Sequence, residues 1–549
     1  MRVSSLGMTD PWLTGMIRRD DEPTTCFGDE FRVSQDKRWL HRAIWIIFFL
    51  ALFRVCYALL VPFDLVHDEA YYWDWSRQLD WGYYSKPPMV AWLIALSTSL
   101  GGSSELFVRL PAVFLGTGVL VWMYLLTAHF YGQKPGFCAV CVAAATPGNA
   151  AMSLLMTIDA PFLFCWGAAL FAFWRMFEPG SRRRLWLMAG VAAVGLGLLS
   201  KQMMIVFPVL GGVYLLSGHE DRKELLRSTY WLWFSASCLF LVPVLWWNHR
   251  NGWVTIQHTL GHFGGEGLSV WRRLIHCGEF LGGQLGVVSP VTFFVLVAVL
   301  WAAVKTLPRL ERKERFLFTF SGLPLIAFLV LSLIQEVEPN WPAAFYLAAI
   351  VLAVGVAVKM IDLPVRPEVR ESSIVLAVAV GAAFVAVTYL VPFGFGLEGS
   401  SLDLAVRLRG WRQLGETVGD RIAVLPKPDE TFVITSEGRA LASELAFYLP
   451  NQPRVYLWTP GSEVLSQYDI WGGPRDKAGW DALIVTKAGY RVPSELSRLF
   501  ERVSPHGQVE VSIGAGRRHA YHVWHGVKSA SWPKDVRGTS NGVVKDKLQ

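Results

Sequence analysis

Charge is scarce in this chain. Of its 549 residues only 17% are Asp, Glu, Lys or Arg, against 53% hydrophobic, and the mean hydropathy is +0.34. A soluble domain carries about 25% charged residues, so the shortage excludes an ordinary soluble fold and indicates a polytopic membrane protein. Cysteine is sparse as well. The seven present are Cys26, Cys56, Cys138, Cys141, Cys165, Cys238 and Cys277, mostly inside apolar runs, and they form no disulfide framework. Cys138 and Cys141 make a C-x-x-C, but without a βαβ context, so packing is the better reading. The sequence holds no P-loop and no D-x-D, which argues against a nucleotide or nucleotide-sugar pocket. A cleavable signal peptide is also missing. About forty polar residues precede the first apolar run, which is expected to stay as an anchor. The net charge of +7 is read as loop lysine and arginine that fix topology, not as nucleic-acid binding.

Apolar runs near the ~20 residues needed to cross a bilayer are what the chain has in abundance. About eleven occur, at 42–62, 108–131, 138–155, 160–177, 185–200, 202–217, 230–248, 280–304, 316–335, 341–358 and 372–391. Charge decides whether 185–217 crosses once or twice. The connections carrying Arg182 to Arg184, Arg222 to Arg227, Lys305 to Arg315 and Lys359 to Arg370 share one side only if it crosses twice. The positive-inside rule makes that side cytoplasmic, together with a tail over 1–41. The spans of 42–391 form the transmembrane domain, and its outer side receives 63–107, "TIDAP", "SKQ", 249–279, "EVEPNW" and everything after 391. There "TFVITS", "RVYLW", "ALIVTK", "VEVSI" and "AYHVW" read as short strands alternating with helical segments. A small α/β domain outside the membrane is expected over 392–528, with a disordered tail over 529–549.

The densest polar chemistry is in "HDEAYYWDWSRQLDWGYYSKPPMVAW", residues 67–92. Tyr72, Trp75 and Leu79 give one apolar helical stripe, and Trp and Tyr favour the headgroup level, so a helix lying in the interface is expected. Pro87 and Pro88 end it and open a second surface helix. Asp68 and Glu69 fall in a first helical turn, where the dipole favours anions, and Lys86 can snorkel to lipid phosphates. Physical chemistry therefore offers a structural reading of every polar residue here.

Several motifs in order, "HDEAYYWDWS", "LDWGYYSKPPMVAW", "TIDAPFLF", "GLGLLSK", "PVLWWNHRNGW", "EVEPNWPAAFYLA" and "SELAFYLP", also resemble bacterial glycosyltransferase family 39/83 membrane proteins. These are relatives of protein O-mannosyltransferases and of lipid A aminoarabinose and galacturonic acid transferases. The resemblance runs from about 60 to 490 and implies the C-type glycosyltransferase (GT-C) fold. It implies an inverting enzyme that uses a polyprenyl-phosphate sugar. The acceptor would be a hydroxyl of a glycolipid, glycan or protein at the outer face of a bacterial inner membrane.

The family's catalytic acid maps onto Asp68, which would act as general base, with Glu69 in support. Asp159 is its second outer-loop acid, although Pro161 also makes Asp159 a natural N-cap. Lys201 lies on the outer side against the positive-inside bias and is a candidate for the departing phosphate, as are Lys86 and Arg109. The aminoarabinose branch has a glutamate where this chain has Ser85, which leaves the sugar open. Tyr71, Tyr84, His258 and Glu338 are candidate substrate contacts. His258, His262 and Glu266 recur at spacings of four, so a divalent metal stays open as a cofactor, but Gly264 and Gly265 would break the helix that such a site needs. The competing class is a transporter or flippase of a lipid-linked sugar. It would place ionisable groups near the midplane and show inverted repeats, and neither pattern is evident.

Overall fold

The computed structural model describes residues 37–61, 63–261, 269–394, 398, 400, 403, 405–461 and 463–532. Each apolar run folds as helix, several of them in two pieces. Among the described residues six helices are long and apolar enough to cross a membrane: Lys37–Leu60, Glu105–Tyr131, Arg183–Ser200, Ser228–Arg250, Arg312–Ser332 and Glu371–Phe393. A seventh arises if Val270–Val288 and Pro290–Lys305, bent by 111° at Ser289, make one span. The expected count of about eleven is not confirmed; shorter apolar helices at Met89–Gly101, Gln202–Ser217 and Trp341–Ala357 lie outside this set. The run at 138–155 splits into Gln133–Ala144 and Pro147–Met152, and 202–217 opens with a short 3-10 turn before Val206–Ser217.

The two-crossing reading of 185–217 fits the geometry. Helix Arg183–Ser200 ends at Lys201, whose backbone is extended, and the chain turns back. Arg183 at the start of this hairpin donates to Glu224 just beyond its end at 2.5 Å, so both ends lie on the same face. Phe345–Ala357 is buried along its whole length and forms the centre of the bundle with Trp166, Phe173, Phe207, Phe316 and Phe320.

The C-terminal domain is α/β. Strands β1 (Thr431–Thr435), β2 (Val455–Leu457), β3 (Asp481–Lys487), β4 (Phe500–Gly514) and β5 (Arg517–Ser529) form one sheet in the order β2-β1-β3-β5-β4. β1 pairs parallel with β2 and β3, while β5 runs antiparallel to β3 and β4. All five expected strands are present, but the last two form a far longer hairpin. β5 includes Ser529, and Trp532 packs on Trp458, so the fold extends beyond the boundary expected at 528.

This domain is fused to the membrane domain. One buried cluster joins Tyr71, Trp73 and Trp75 of the first loop, Val108 and Ala112 of the second span, and Leu414, Leu445 and Val485 of the C-terminal domain. Helix His67–Ser76 packs against helix Arg439–Tyr448, and Ala70 through Ser76 are all buried. That corrects the expectation of a helix lying in the lipid interface. Its aromatics face protein, Leu79 lies beyond its end, and the interfacial character passes to Met89–Gly101, which exposes Leu96 and Leu100.

Candidate functional site

The first loop folds around its second acid. Glu69 is fully buried and accepts Arg109 Nη2 at 2.9 Å and Arg109 Nε at 3.1 Å. The same carboxylate accepts the backbone N–H groups of Met156 at 3.0 Å and Val66 at 3.2 Å. Arg109, also fully buried, spends its other N–H groups on the carbonyls of Phe63 (3.2 Å) and Asp64 (2.8 Å) and lies over the Phe63 ring. With four of its five N–H groups engaged inside the fold and no exposed surface, Arg109 is sealed off from a phosphate. Glu69, expected in support of Asp68, is likewise sealed inside the fold, with both carboxylate oxygens engaged. The pair ties the first loop, the second span and the turn before Asp159 into one joint.

Asp68, one residue earlier, points the other way. Its side chain is 40% exposed and accepts Arg439 Nη1 at 2.9 Å, from the first residue of helix Arg439–Tyr448 in the C-terminal domain. Arg439 lies 4.8 Å over the Tyr71 ring. Tyr71 is buried and its hydroxyl accepts the Gln467 N–H at 2.6 Å, so it serves as the floor beneath the arginine. His67, beside Asp68, has its pKa lowered mainly by burial and stays neutral at pH 7.

Asp159 and Lys201 meet in a second pair. Lys201 Nζ donates to Asp159 Oδ1 at 2.7 Å, and Asn340 Nδ2 donates to Asp159 Oδ2 at 2.8 Å. Asp159 is thus the first residue of its helix and makes no N-cap bond; its carboxylate is spent across the bundle. The "EVEPNW" turn contributes Asn340, whereas the expected residue of that turn, Glu338, is exposed.

Lys86 completes the cluster. Its ammonium has no carboxylate or carbonyl partner among the described residues, and it is half-buried. Its pKa is lowered first by burial and next by the charge of Lys201, with Asp159 and Asp68 acting against this. The buried Tyr72 hydroxyl is held well above its ordinary pKa by burial and then by the charge of Asp68, with Asp159 a further contribution. Tyr84 packs against His258 with ring centroids 4.9 Å apart, and its backbone N–H donates to Gln467. His262 and Glu266 lie outside the described residues; no three carboxylate, His or Cys side chains converge as metal ligands among the described ones.

The structure therefore brings together Asp68, Asp159, Lys201 and Lys86, with Tyr71 beneath Arg439. It sets Glu69, Arg109 and Glu338 apart. Arg439, Asn340 and Tyr72 are the residues that sequence reasoning did not place. Arg439 lies 371 positions from its partner, and its one sequence signal is its position just ahead of "SELAFYLP".

Comparison with known proteins agrees with this architecture. The family described as dolichyl-phosphate-mannose-protein mannosyltransferase matches residues 85–247. A lipid A galacturonosyltransferase, RgtD of Rhizobium johnstonii, is 27% identical over 467 residues, covering 84% of this chain and 94% of that protein. The crystal structure of ArnT from Cupriavidus metallidurans bound to undecaprenyl phosphate superposes with a TM-score of 0.60 at 16% identity, covering 89% of this chain and 98% of ArnT. Its apo form superposes with a TM-score of 0.58. The chain has the fold of ArnT, the GT-C fold, and is a multi-pass membrane glycosyltransferase.

Proposed function

We propose that this glycosyltransferase moves a galacturonic acid residue from a polyprenyl-phosphate donor to a hydroxyl of lipid A or a related glycolipid. The sugar and acceptor are carried over from what the Rhizobium relative is named for, and the donor class from the lipid bound to ArnT. The observation that carries the reading is the convergence of Asp68, Lys86 and the Asp159–Lys201 pair on one face, among segments far apart in sequence. A half-exposed carboxylate and an unpaired ammonium facing one space are what a displacement at an anomeric carbon needs.

In that reaction Asp68 takes the proton of the acceptor hydroxyl while its oxygen attacks the anomeric carbon. The bond from that carbon to the phosphate oxygen breaks, and its electron pair leaves on the polyprenyl phosphate. Lys86 receives the new charge. Lys201, held by Asp159 and over the Phe162 ring at 5.5 Å, supports the positive field. An open groove of about 780 Å³ beside Lys86's loop, lined by Trp81, Trp92, Trp246, Trp247, Asp80 and Arg250, offers indole faces to a glycan.

Asp68→Asn keeps size and shape and removes the base. Transfer is expected to fall by roughly 10²–10⁴-fold with folding intact; transfer near the parental rate would restrict Asp68 to its ion pair. The lysine and arginine distribution orients this face away from the cytoplasm, toward the periplasm of a bacterial inner membrane. Alkaline phosphatase fused after residue 420, within helix Trp411–Ala423 of the C-terminal domain, is then expected to be active. An inactive fusion with fluorescent green fluorescent protein at the same site would reverse the orientation.

A further inference from the structure

Arg439 poses a problem for the reaction just described. Its guanidinium occupies Oδ1 of the carboxylate that has to meet the acceptor hydroxyl. Asp68 can offer that oxygen to an acceptor only when the contact is loosened or shared. The surroundings show what could loosen it. Arg439 reaches into the site from another domain, supported from below by Tyr71 and anchored by one hydrogen bond, Nη1 to Asp68. Its side chain is 38% exposed, and the ion pair with Asp68 engages only Nη1 of the fork. The fork geometry suits a second carboxylate, which it can take in a bidentate pair.

The charges around it discriminate between sugars. Lys201 and Arg439 are both near enough to Lys86 to lower its pKa, and the acids near it, Asp159 and Asp68, are each already paired with one of these two cations. An amino sugar would add a cation to this group and be repelled. A neutral sugar would leave Arg439 on Asp68. An acidic sugar gives Arg439 a partner of its own, while Lys86 remains for the phosphate.

We infer that Arg439 is the specificity-determining residue that binds the carboxylate of an acidic donor sugar, and that this contact draws the guanidinium off Asp68 and frees the base. The inference rests on the proposed transfer from a polyprenyl-phosphate donor. It makes the C-terminal domain part of the donor site, and it couples recognition of the right sugar to activation of the base.

The test uses the full chain in lipid nanodiscs and three synthetic donors on one polyprenyl phosphate: a hexuronic acid, its uncharged carboxamide and the corresponding hexose. The wild-type protein is expected to favour the hexuronic acid in kcat/KM by roughly 10- to 100-fold over the carboxamide, the range of a charge-assisted hydrogen bond. Arg439→Gln is expected to erase that preference, by lowering use of the acid while use of the hexose holds or rises, and Arg439→Lys to restore part of it. Each comparison is repeated with a dephosphorylated acceptor, since an acceptor phosphate is the other anion that could occupy the fork. A preference that disappears with the acceptor phosphate would assign Arg439 to the acceptor and overturn the inference. Equal use of acid and carboxamide by the wild-type protein would also overturn it while leaving the transferase reading intact. No transfer from any polyprenyl-phosphate donor would remove both.

Discussion

Asp68 and Glu69 are consecutive acids in the first turn of one short helix, and each pairs with an arginine. Their surroundings differ in every other respect. Glu69 is buried against Arg109 with both oxygens engaged by four N–H donors, and the joint it forms has no room for a ligand. Asp68 is 40% exposed, and it pairs with a partly exposed arginine from another domain. A closed ion pair holds a loop in place, and an open one remains available to exchange partners. A helix turns by about 100° per residue, which sends adjacent side chains in different directions. One of these acids is therefore committed to the fold by the same turn that presents the other to the site.

The sharpest way to break this contrast is to remove one member of the closed pair. Glu69→Gln or Arg109→Met strands a buried charge or its donors, and the expected cost is about 3–5 kcal/mol. Thermal unfolding of the full chain in detergent measures it. The double variant should recover part of the loss, because removing both partners leaves no uncompensated charge. A Glu69→Gln protein with the parental melting temperature and no transfer would move Glu69 into the chemistry.

The two lysines allow a second comparison of the same kind. Lys86→Met removes an ammonium that no carboxylate holds in the resting protein. It should lower kcat/KM for the donor by roughly 10- to 100-fold with little change in melting. Lys201→Met instead leaves Asp159 buried and short of a partner, so its first effect should be on stability, and Asp159→Asn should relieve it. The pH dependence follows from the lowered pKa of Lys86. A bound phosphate favours the protonated ammonium, so donor affinity is full below the Lys86 pKa of the free enzyme and declines as pH rises through it. Lys86→Arg keeps its charge to higher pH and should flatten that alkaline limb. Lys201→Met turnover unchanged at parental stability would make Lys201 dispensable.

Legibility in the sequence follows the range of the interaction concerned. The five strands are recognisable because alternating β-branched and aromatic residues are a local pattern. The length of the β4–β5 hairpin is not, since its polar middle is held by cross-strand pairing. The reversal at Lys201 was legible from the charges at its two ends. The pairing of Glu69 with Arg109 was not, because two acids in a first helical turn carry the same local signature. Which one is buried depends on Arg109 and Met156, 40 and 87 residues away. The aromatics of 71–75 misled for a related reason. Tyr and Trp suit a headgroup belt and a domain interface equally well, and the helix Arg439–Tyr448 that covers them comes more than three hundred residues later.

The same covering helix carries a third acid, Glu444, that sharpens the contrast from the stability side. It is buried, and neither carboxyl oxygen has a hydrogen-bond partner in the structure. Burial first, then the nearby charges of Asp64 and Glu69, raise its pKa well above the ordinary carboxylate value, so it is held protonated, whereas Glu69 is paired with Arg109. A carboxyl whose folded pKa exceeds its unfolded value of about 4.3 binds its proton more tightly in the folded state. The stability gained from that preference is complete below the unfolded pKa and is lost as pH rises toward the folded one. The C-terminal domain should therefore loosen from the first loop in mild alkali. Glu444→Gln cannot ionise, so its melting temperature should fall less than that of the wild type between pH 6 and pH 9, a difference in slope smaller than any effect above. Melting measured across that range decides it. Parallel profiles would mean that Glu444 does not change charge there, and that Asp68, Glu69 and Glu444 do not form a graded series from open pair to closed pair to neutral acid.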